Sequence, residues 1–318
     1  MKLGKILVTI LAAGCAVLSH SQTVEYIKYG DFNNWVTRHI KESAVIGGKE
    51  RTLYAIGPTT TIEGNKAYKP LGGSPWGTSN VYAKVAGVVK GSNAVFPHDR
   101  GNGNKCVKLA TIMEHLKVLG LINMEVMVTG SIFLGEMVEP VSSTSNAYSK
   151  LSMGVPYTKR PKNLVLDYKI DAPNTDTRVK STGMSKKKTY KGRDYASVFI
   201  MLQRRWEDAD GNIHAKRVGT GGELFNKTID WQNGHKIPIK YGNASRANGY
   251  RWEKLLNDET NYHARNSKGK IVPIIEEGWD SPDATPTHVI VMLSSGYYEP
   301  FVGTEGLTLY VDNVGFGF

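Results

Sequence analysis

Two apolar runs of strand length limit what this chain can fold into. They are "YASVFIMLQ" (195–203) and "HVIVMLSS" (288–295). Runs of this length and composition predict central β-strands that are buried on both faces. A third segment, "NLVLDYKI" (163–170), alternates between apolar and polar residues, which predicts an antiparallel strand with one buried face. We therefore expect a core that is built from strands.

Shorter segments and turns extend this pattern. "KCVKLAT" (105–111) and "IPIKY" (237–241) predict further strands, and the Asp-Gly pair in "DADGN" (208–212) predicts a hairpin turn. Helical patterns are confined to 250–259 and to 111–120, and the latter could equally be a loop. With 34 glycines and no repeat period, the chain predicts an all-β fold, a β-sandwich with a few short helices.

The N-terminus has the composition of an export signal. Lys2 and Lys5 precede an apolar stretch (6–18) that is too short to span a bilayer, and small residues follow it. This pattern predicts a signal peptide over residues 1–21 and a mature protein in the periplasm or at the outer-membrane surface. No second apolar segment reaches transmembrane length, so we do not expect a membrane-spanning protein.

A lipoprotein signal is the alternative, because "AAGC" places Cys15 behind small residues. Ala12 stands where leucine is usual, and the residues after Cys15 stay apolar, so ordinary cleavage is favoured. No Pro/Ser-rich linker divides residues 22–318, which predicts a single domain. Cys106 is then the one remaining cysteine, so packing rather than disulfides must hold the fold, and we interpret Cys106 as a small buried hydrophobe.

The charge of the chain is concentrated in one stretch. The formal net charge is +11, and removal of the signal peptide takes away two lysines and no acids, which lowers it to +9. Residues 159–193 hold eleven Lys or Arg against three Asp, with Lys186, Lys187 and Lys188 at the centre. Such a run attracts anionic partners such as acidic polysaccharide, although a solvated loop is the simpler interpretation. No nucleic-acid partner is expected, because the run lacks interleaved aromatics.

The usual catalytic motifs are missing. The sequence has no G-x-S-x-G elbow, H-E-x-x-H, P-loop or C-x-x-C. Acids cluster in "IIEEGWDSPDATP" (274–286), and glycosidases need two carboxylates that flank the scissile bond. Glu276, Glu277 and Asp280 are therefore the candidate catalytic residues, with a solvated loop as the simpler interpretation. The missing motifs favour a protein without catalysis.

Six tryptophans stand in or beside polar stretches. An aromatic ring can stack on the apolar face of a sugar, so exposed tryptophans often form glycan platforms. Trp76, Trp231 and Trp279 are the candidate ligand-binding residues. The alternative is that these side chains pack in the core or at its rim.

The last segment, "LTLYVDNVGFGF" (307–318), reads as a strand whose alternation changes phase at Asp312–Asn313. One extra residue in a strand moves all later side chains to the other face, so the pattern predicts a β-bulge at this point. We expect this strand to pair with the first strand, near residues 25–35.

Several segments together resemble the putative carbohydrate metabolism domain family, exported proteins of Gram-negative, glycan-using bacteria. They are "GDFNNW", "SPWGTSN", "GSIFLGEM", "GVPYTKRPKNLVLDYKI" and "VIVMLSSGYYEPFVGTEGLTLYVDNV". The resemblance implies a jelly-roll β-sandwich similar to galactose-binding-like carbohydrate modules. It implies no reaction and carries over no catalytic residue.

The two ends also resemble carbohydrate-binding jelly rolls, in which a structural calcium ion joins the first and last strands. Asp31 and Asp312 occupy the matching positions here, while Asn33 and Asn313 replace acids of that pattern. Calcium prefers carboxylate oxygens, so these amides weaken the implied site. No other cofactor is expected.

Three functions remain open at this point. The first is an exported accessory protein that binds a polysaccharide or oligosaccharide through loop aromatics without catalysis. The second is a glycoside hydrolase or lyase on the same scaffold, since a fold does not settle a function. The third is a structural component of a cell-surface complex.

Overall fold

The structure, a computed structural model, describes residues 23–85, 87–118, 122–142, 147–183, 185–245, 247–256 and 262–318. The predicted signal peptide lies outside these residues. Helix within them is limited to three 3₁₀ turns, at Ala44–Ile46, Ala147–Lys150 and Arg251–Glu253. No described helix is long and apolar enough to cross a membrane. The predicted all-β class is confirmed.

Twenty-five strands are found in the described residues. In chain order they are β1 (Val24–Tyr26), β2 (Trp35–Lys41), β3 (Glu50–Ile56), β4 (Thr60–Glu63), β5 (Trp76–Thr78), β6 (Val81–Val85), β7 (Val88–Ser92), β8 (Val95–Gly101), β9 (Asn104–Val118), β10 (Ile122–Thr129), β11 (Ser131–Met137), β12 (Leu151–Met153), β13 (Val155–Pro156), β14 (Asn163–Asp171), β15 (Thr177–Lys180), β16 (Lys188–Lys191), β17 (Ala196–Glu207), β18 (Ile213–Phe225), β19 (Ile229–Pro238), β20 (Lys240–Tyr241), β21 (His263–Arg265), β22 (Ile271–Trp279), β23 (His288–Ser294), β24 (Val302–Gly303) and β25 (Thr308–Gly317).

The last strand, β25, lies in the middle of a seven-stranded sheet. The order is β10-β9-β25-β14-β19, with β1 added to β25 and β8 added to β9. β1 pairs antiparallel with β25 from Val24 opposite Gly317, so the expected pairing of the first and last strands is confirmed. β25 therefore has hydrogen-bonded neighbours along both edges, with β14 on one edge and β9 and β1 on the other.

The predicted bulge in β25 is also confirmed. Gly315 lies opposite Val165 and Asp312 lies opposite Asp167, so β25 carries one extra residue over this interval. Asn313 takes a left-handed conformation with φ 51°, which asparagine tolerates better than most residues. The bulge allows apolar side chains before and after it to enter the same core.

A second sheet of ten strands closes on itself. β23, β17, β18, β22, β21, β12 and β11 follow one another, and β11 pairs with β23 as well as with β12, so these seven strands form a barrel. The inward side chains of all seven strands contribute to one hydrophobic cluster. The jelly-roll subtype that the resemblance implied is not confirmed, because the second layer is this closed barrel.

The barrel and the seven-stranded sheet share the main core. Along β17, Val198, Ile200 and Leu202 face the sheet, whereas Phe199 and Met201 face the barrel interior. β23 alternates in the same way. Both faces of these strands are buried, as the two long apolar runs predicted. The layers thus form a β-sandwich in which one layer is a barrel.

Three small sheets complete the described structure. β2 lies between β3 and β4, β6 pairs with β7, and β15 lies between β16 and β24. Ile40, Leu53, Tyr82 and Val89 form a separate small core beneath the first two. Cys106 is fully buried in β9, and burial raises the pKa of its thiol to about 12, as expected of a cysteine that packs as a hydrophobe.

Two local predictions are wrong and one is confirmed. The segment 111–118 continues β9 and pairs with β10, so it is neither helix nor loop. The expected helix over 250–259 reduces to the single turn Arg251–Glu253 in its described part. The turn at 208–212 joins β17 and β18, with Gly211 at φ 91° where a side chain would be strained.

Candidate functional site

One end of the barrel opens into a cavity of about 230 Å³, which we call the barrel mouth. Its walls come from the inner faces of β11, β17 and β23, from the segment 251–256 and from the loop 296–300 after β23. The strand period of two places Ser197, Phe199 and Met201 of β17 on this inner face. Ligand cavities are common in the mouths of β-barrels, so this is the candidate binding site.

Aromatic rings dominate the walls of the barrel mouth. Phe199 stacks on Trp252 at 5.4 Å between ring centroids and on Tyr262 at 6.1 Å. Tyr297 meets Trp252 edge-on at 5.6 Å, and Tyr148 meets Tyr262 edge-on at 5.4 Å. Such contacts fix the planes of the rings. Phe199 and Trp252 are buried against each other. The partly exposed rings of Tyr148, Tyr262 and Tyr297, in contrast, offer preorganised aromatic surface to the cavity.

Serine hydroxyl groups also line the barrel mouth. The Ser131 and Ser294 hydroxyls lie 2.7 Å apart, and the Ser197 hydroxyl donates to the carbonyl of Gly296 at 2.7 Å. Burial is the main cause that raises the pKa of Tyr148 and of Tyr262, so both phenols stay protonated at neutral pH. The cavity therefore combines apolar faces with neutral groups that can hydrogen-bond.

Charge in the barrel mouth is sparse. Among the lining residues that the structure describes, the basic and acidic side chains are Arg251 and Glu299. Glu299 accepts a hydrogen bond from Lys180 at 3.0 Å. A glycosidase uses two carboxylates about 5–10 Å apart, and the described lining supplies one.

Glu276 does not lie in the barrel mouth, although it is inside the barrel. Its carboxylate accepts hydrogen bonds from Nε and Nη2 of Arg217, each at 2.6 Å, and from Gln203 at 2.5 Å and the backbone N–H of Leu256 at 2.8 Å. Both members of the Arg217–Glu276 pair have fully buried side chains. The interpretation of this stretch as a solvated loop is wrong here, because β22 carries Glu276 into the interior.

The other two candidate acids lie outside the barrel. Glu277 follows Glu276 on the strand and so projects to the opposite face, where it pairs with His214 at 2.8 Å. Asp280 pairs with Arg204 at 2.6 Å at the end of β22. The fold thus sends the three candidate acids to different environments, and their catalytic role stays a prediction.

The three candidate tryptophans also lie away from the described lining of the barrel mouth. Trp76 is fully buried in the main core and donates to the carbonyl of Lys28 at 3.0 Å, so its ring cannot stack on a ligand. The Trp231 ring is covered by the guanidinium of Arg100 at 4.0 Å. Trp279 is half-buried at the end of β22.

An arginine occupies the region where the resemblance implied calcium. Nη1 of Arg100 donates to Asp312 at 2.5 Å and to Asp167 at 2.8 Å, while Asn104 donates to Asp312 at 2.9 Å. Asp31 accepts instead from its neighbour Asn33. No group of three or more His, Cys, Asp or Glu suited to a metal occurs in the described residues. The set does not fit calcium, because a guanidinium already supplies the positive charge.

Sequence reasoning missed the residues that form the barrel mouth. Phe199 was hidden in an apolar run that predicted only core, and Tyr297 stood in the "GYYEP" segment without a motif of its own. The available signal was the serine, phenylalanine and methionine that alternate with aliphatic residues in "ASVFIM" (196–201). This alternation marks a strand with two different environments.

Comparisons with known proteins give a family match and distant structural likenesses. No curated protein matches it. Two crystal structures described as putative glycoside hydrolases are distantly similar. The one from Bacteroides thetaiotaomicron VPI-5482 has 18% identity and a TM-score of 0.46, covering 85% of this chain and 75% of that chain. The one from Bacteroides vulgatus ATCC 8482 has 15% identity and a TM-score of 0.44, covering 92% and 94%.

These likenesses are too distant to assign an activity. A family model for the putative carbohydrate metabolism domain matches residues 58–316, which is most of the chain and includes every strand of the barrel. The chain therefore belongs to the putative carbohydrate metabolism domain family.

Proposed function

We propose that the protein binds a glycan in the barrel mouth and does not cleave it. The observation that carries this proposal is the cavity itself, with seven aromatic side chains and four serines among its described lining residues. Sugar rings present apolar C–H faces and a rim of hydroxyls, which such a surface complements. Membership of a carbohydrate-related family supports the same ligand class.

A single carboxylate in the described lining of the barrel mouth supports binding rather than hydrolysis. Glu299 is the one acid in the described lining, and Lys180 neutralises it. A hydrolase or lyase is the alternative, and it would require a second acid near the bound sugar. If the protein is exported as its N-terminus predicts, it would meet polysaccharides in the periplasm or at the cell surface.

Calorimetric titration with a panel of soluble neutral and acidic polysaccharides tests the proposal. We expect saturable binding to at least one polymer, without release of reducing ends or unsaturated products. Tyr297→Ala should weaken that binding about three- to tenfold, because it removes one stacking face from the cavity. Tyr297→Phe keeps the ring and should bind nearly as well as the wild type.

Trp206→Ala is the matched control, since Trp206 is exposed and stacks on His214 away from the barrel mouth. It should leave affinity unchanged. Equal losses in Tyr297→Ala and Trp206→Ala would place binding elsewhere. Product release would establish the enzyme, and a failure to bind any polymer would favour a structural role.

A further inference from the structure

Arg251 brings an available positive charge to the barrel mouth. Its side chain is exposed, and Nη1 donates to the backbone carbonyl of Tyr297 at 3.0 Å. The Tyr148 hydroxyl is a second hydrogen-bond partner. No carboxylate pairs with Arg251 among the described residues. Neutral oxygens thus hold the guanidinium in place, and its charge is not cancelled by the acids that the structure describes.

The β15–β16 hairpin adds positive charge beside the cavity. The Arg178 guanidinium lies 3.9 Å from the ring centroid of Tyr298, and Lys180 pairs with Glu299; both Tyr298 and Glu299 line the barrel mouth. The hairpin forms most of the second half of the basic stretch (159–193) found in the sequence. Its exposed lysines without an acidic partner in the described residues are Lys186, Lys188 and Lys191.

We propose that the glycan bound in the barrel mouth is anionic and that Arg251 binds its carboxylate or sulfate group. This inference rests on the proposed function and adds the charge of the ligand. A planar guanidinium forms paired hydrogen bonds with such groups, and these are stronger than bonds between neutral partners. Glu299 is the one acid in the described lining that would repel an anion, and Lys180 pairs with it. The hairpin lysines raise the local positive potential.

Matched ligands that differ only in charge test the inference. Oligogalacturonate is compared with its neutral methyl ester, and dextran sulfate is compared with dextran, each by titration at low and at physiological salt. The wild type should prefer the charged member of at least one pair, and the preference should shrink with salt. A preference for oligogalacturonate over its ester identifies a carboxylate as the bound group. A preference for dextran sulfate over dextran identifies a sulfate.

Substitutions then assign the effect to Arg251. Arg251→Gln should weaken binding of the preferred charged ligand by about tenfold or more, and by far more than it weakens binding of the neutral counterpart. Arg251→Lys keeps the charge and should recover part of the loss. Arg204→Gln is the control, because this exposed arginine pairs with Asp280 outside the barrel. Equal melting temperatures would show that the variants remain folded.

The outcomes separate the two proposals. Equal affinity for charged and neutral members of both pairs, with Tyr297→Ala still weakening binding, would overturn the anionic ligand and leave the glycan-binding function standing. Equal loss of both members in Arg251→Gln would show that the residue only shapes the cavity, and would also overturn the inference. Binding to none of the polymers would overturn both proposals.

Discussion

At the scale of single residues, Asp194 shows how burial changes an ordinary carboxyl. Its side chain is almost fully buried before β17, where it accepts hydrogen bonds from the backbone N–H of Tyr195 at 2.8 Å and of Thr304 at 2.9 Å. Burial outweighs these bonds and raises the pKa of Asp194 to about 6. Asp194 therefore fixes two chain segments at the cost of an unfavourable charge above that pH.

The raised pKa predicts a specific dependence of stability on pH. Asp194 titrates near 3.8 in the unfolded chain, so the folded state binds the extra proton and its stabilising effect is lost as pH rises from about 4 to 6. Relative to Asp194→Asn, the wild type should lose about 2 kcal/mol of unfolding free energy between pH 4 and 7. Urea denaturation at several pH values measures this difference, and parallel profiles would contradict the assignment.

At the scale of elements, β23 carries residues that stabilise the core on one face and residues that line the binding cavity on the other. Leu293 faces the main core and is fully buried, whereas its neighbour Met292 faces the barrel mouth. Strand geometry sends consecutive side chains to opposite faces. The two positions therefore belong to different tasks although they are adjacent in the sequence.

Alanine substitution at Leu293 should mainly affect stability, whereas alanine substitution at Met292 should mainly affect glycan binding. Leu293→Ala should lower the free energy of unfolding by about 2–5 kcal/mol, because it opens a cavity in the main core, and should leave glycan affinity unchanged. Met292→Ala should cost less stability and weaken glycan binding severalfold. Chemical denaturation and titration of both variants check this, and a large loss of affinity in Leu293→Ala alone would contradict the proposed division.

At the scale of the whole molecule, Arg100 joins distant parts of the seven-stranded sheet. It comes from β8 and binds Asp167 of β14 and Asp312 of β25, while Nη2 donates to Asn233 of β19 at 2.5 Å. The Asp312 side chain is fully buried. One guanidinium thus ties together four strands that are far apart in the sequence.

Removal of this cation should destabilise the entire fold. Arg100→Met leaves a buried carboxylate unpaired, so we expect a loss of about 3–5 kcal/mol in a denaturation experiment. Arg204→Met breaks an exposed pair and should cost at most about 1 kcal/mol. Calcium should not raise the melting temperature of the wild type, since Arg100 occupies the acidic pair; a clear rise would support the calcium site instead.

The sequence by itself determined the local features of this protein. The strands at 163–170, 195–203 and 288–295, the turn at 208–212 and the bulge at Asp312–Asn313 were predicted, because alternation, turn residues and a change of phase are properties of adjacent residues. The strand at 111–118 was not predicted. Quoted segments also indicated the family, which the match over residues 58–316 confirmed.

Only the tertiary structure determined which residues form the candidate binding site and which acids are buried. The barrel closes through pairs such as Ser131 with Ser294, which no local pattern encodes, and that closure creates the cavity. Glu276 and Glu277 are neighbours of one residue type, yet one is buried against Arg217 and the other faces outward. The environment of a side chain depends on which distant segments pack around it, and the barrel brings those segments together.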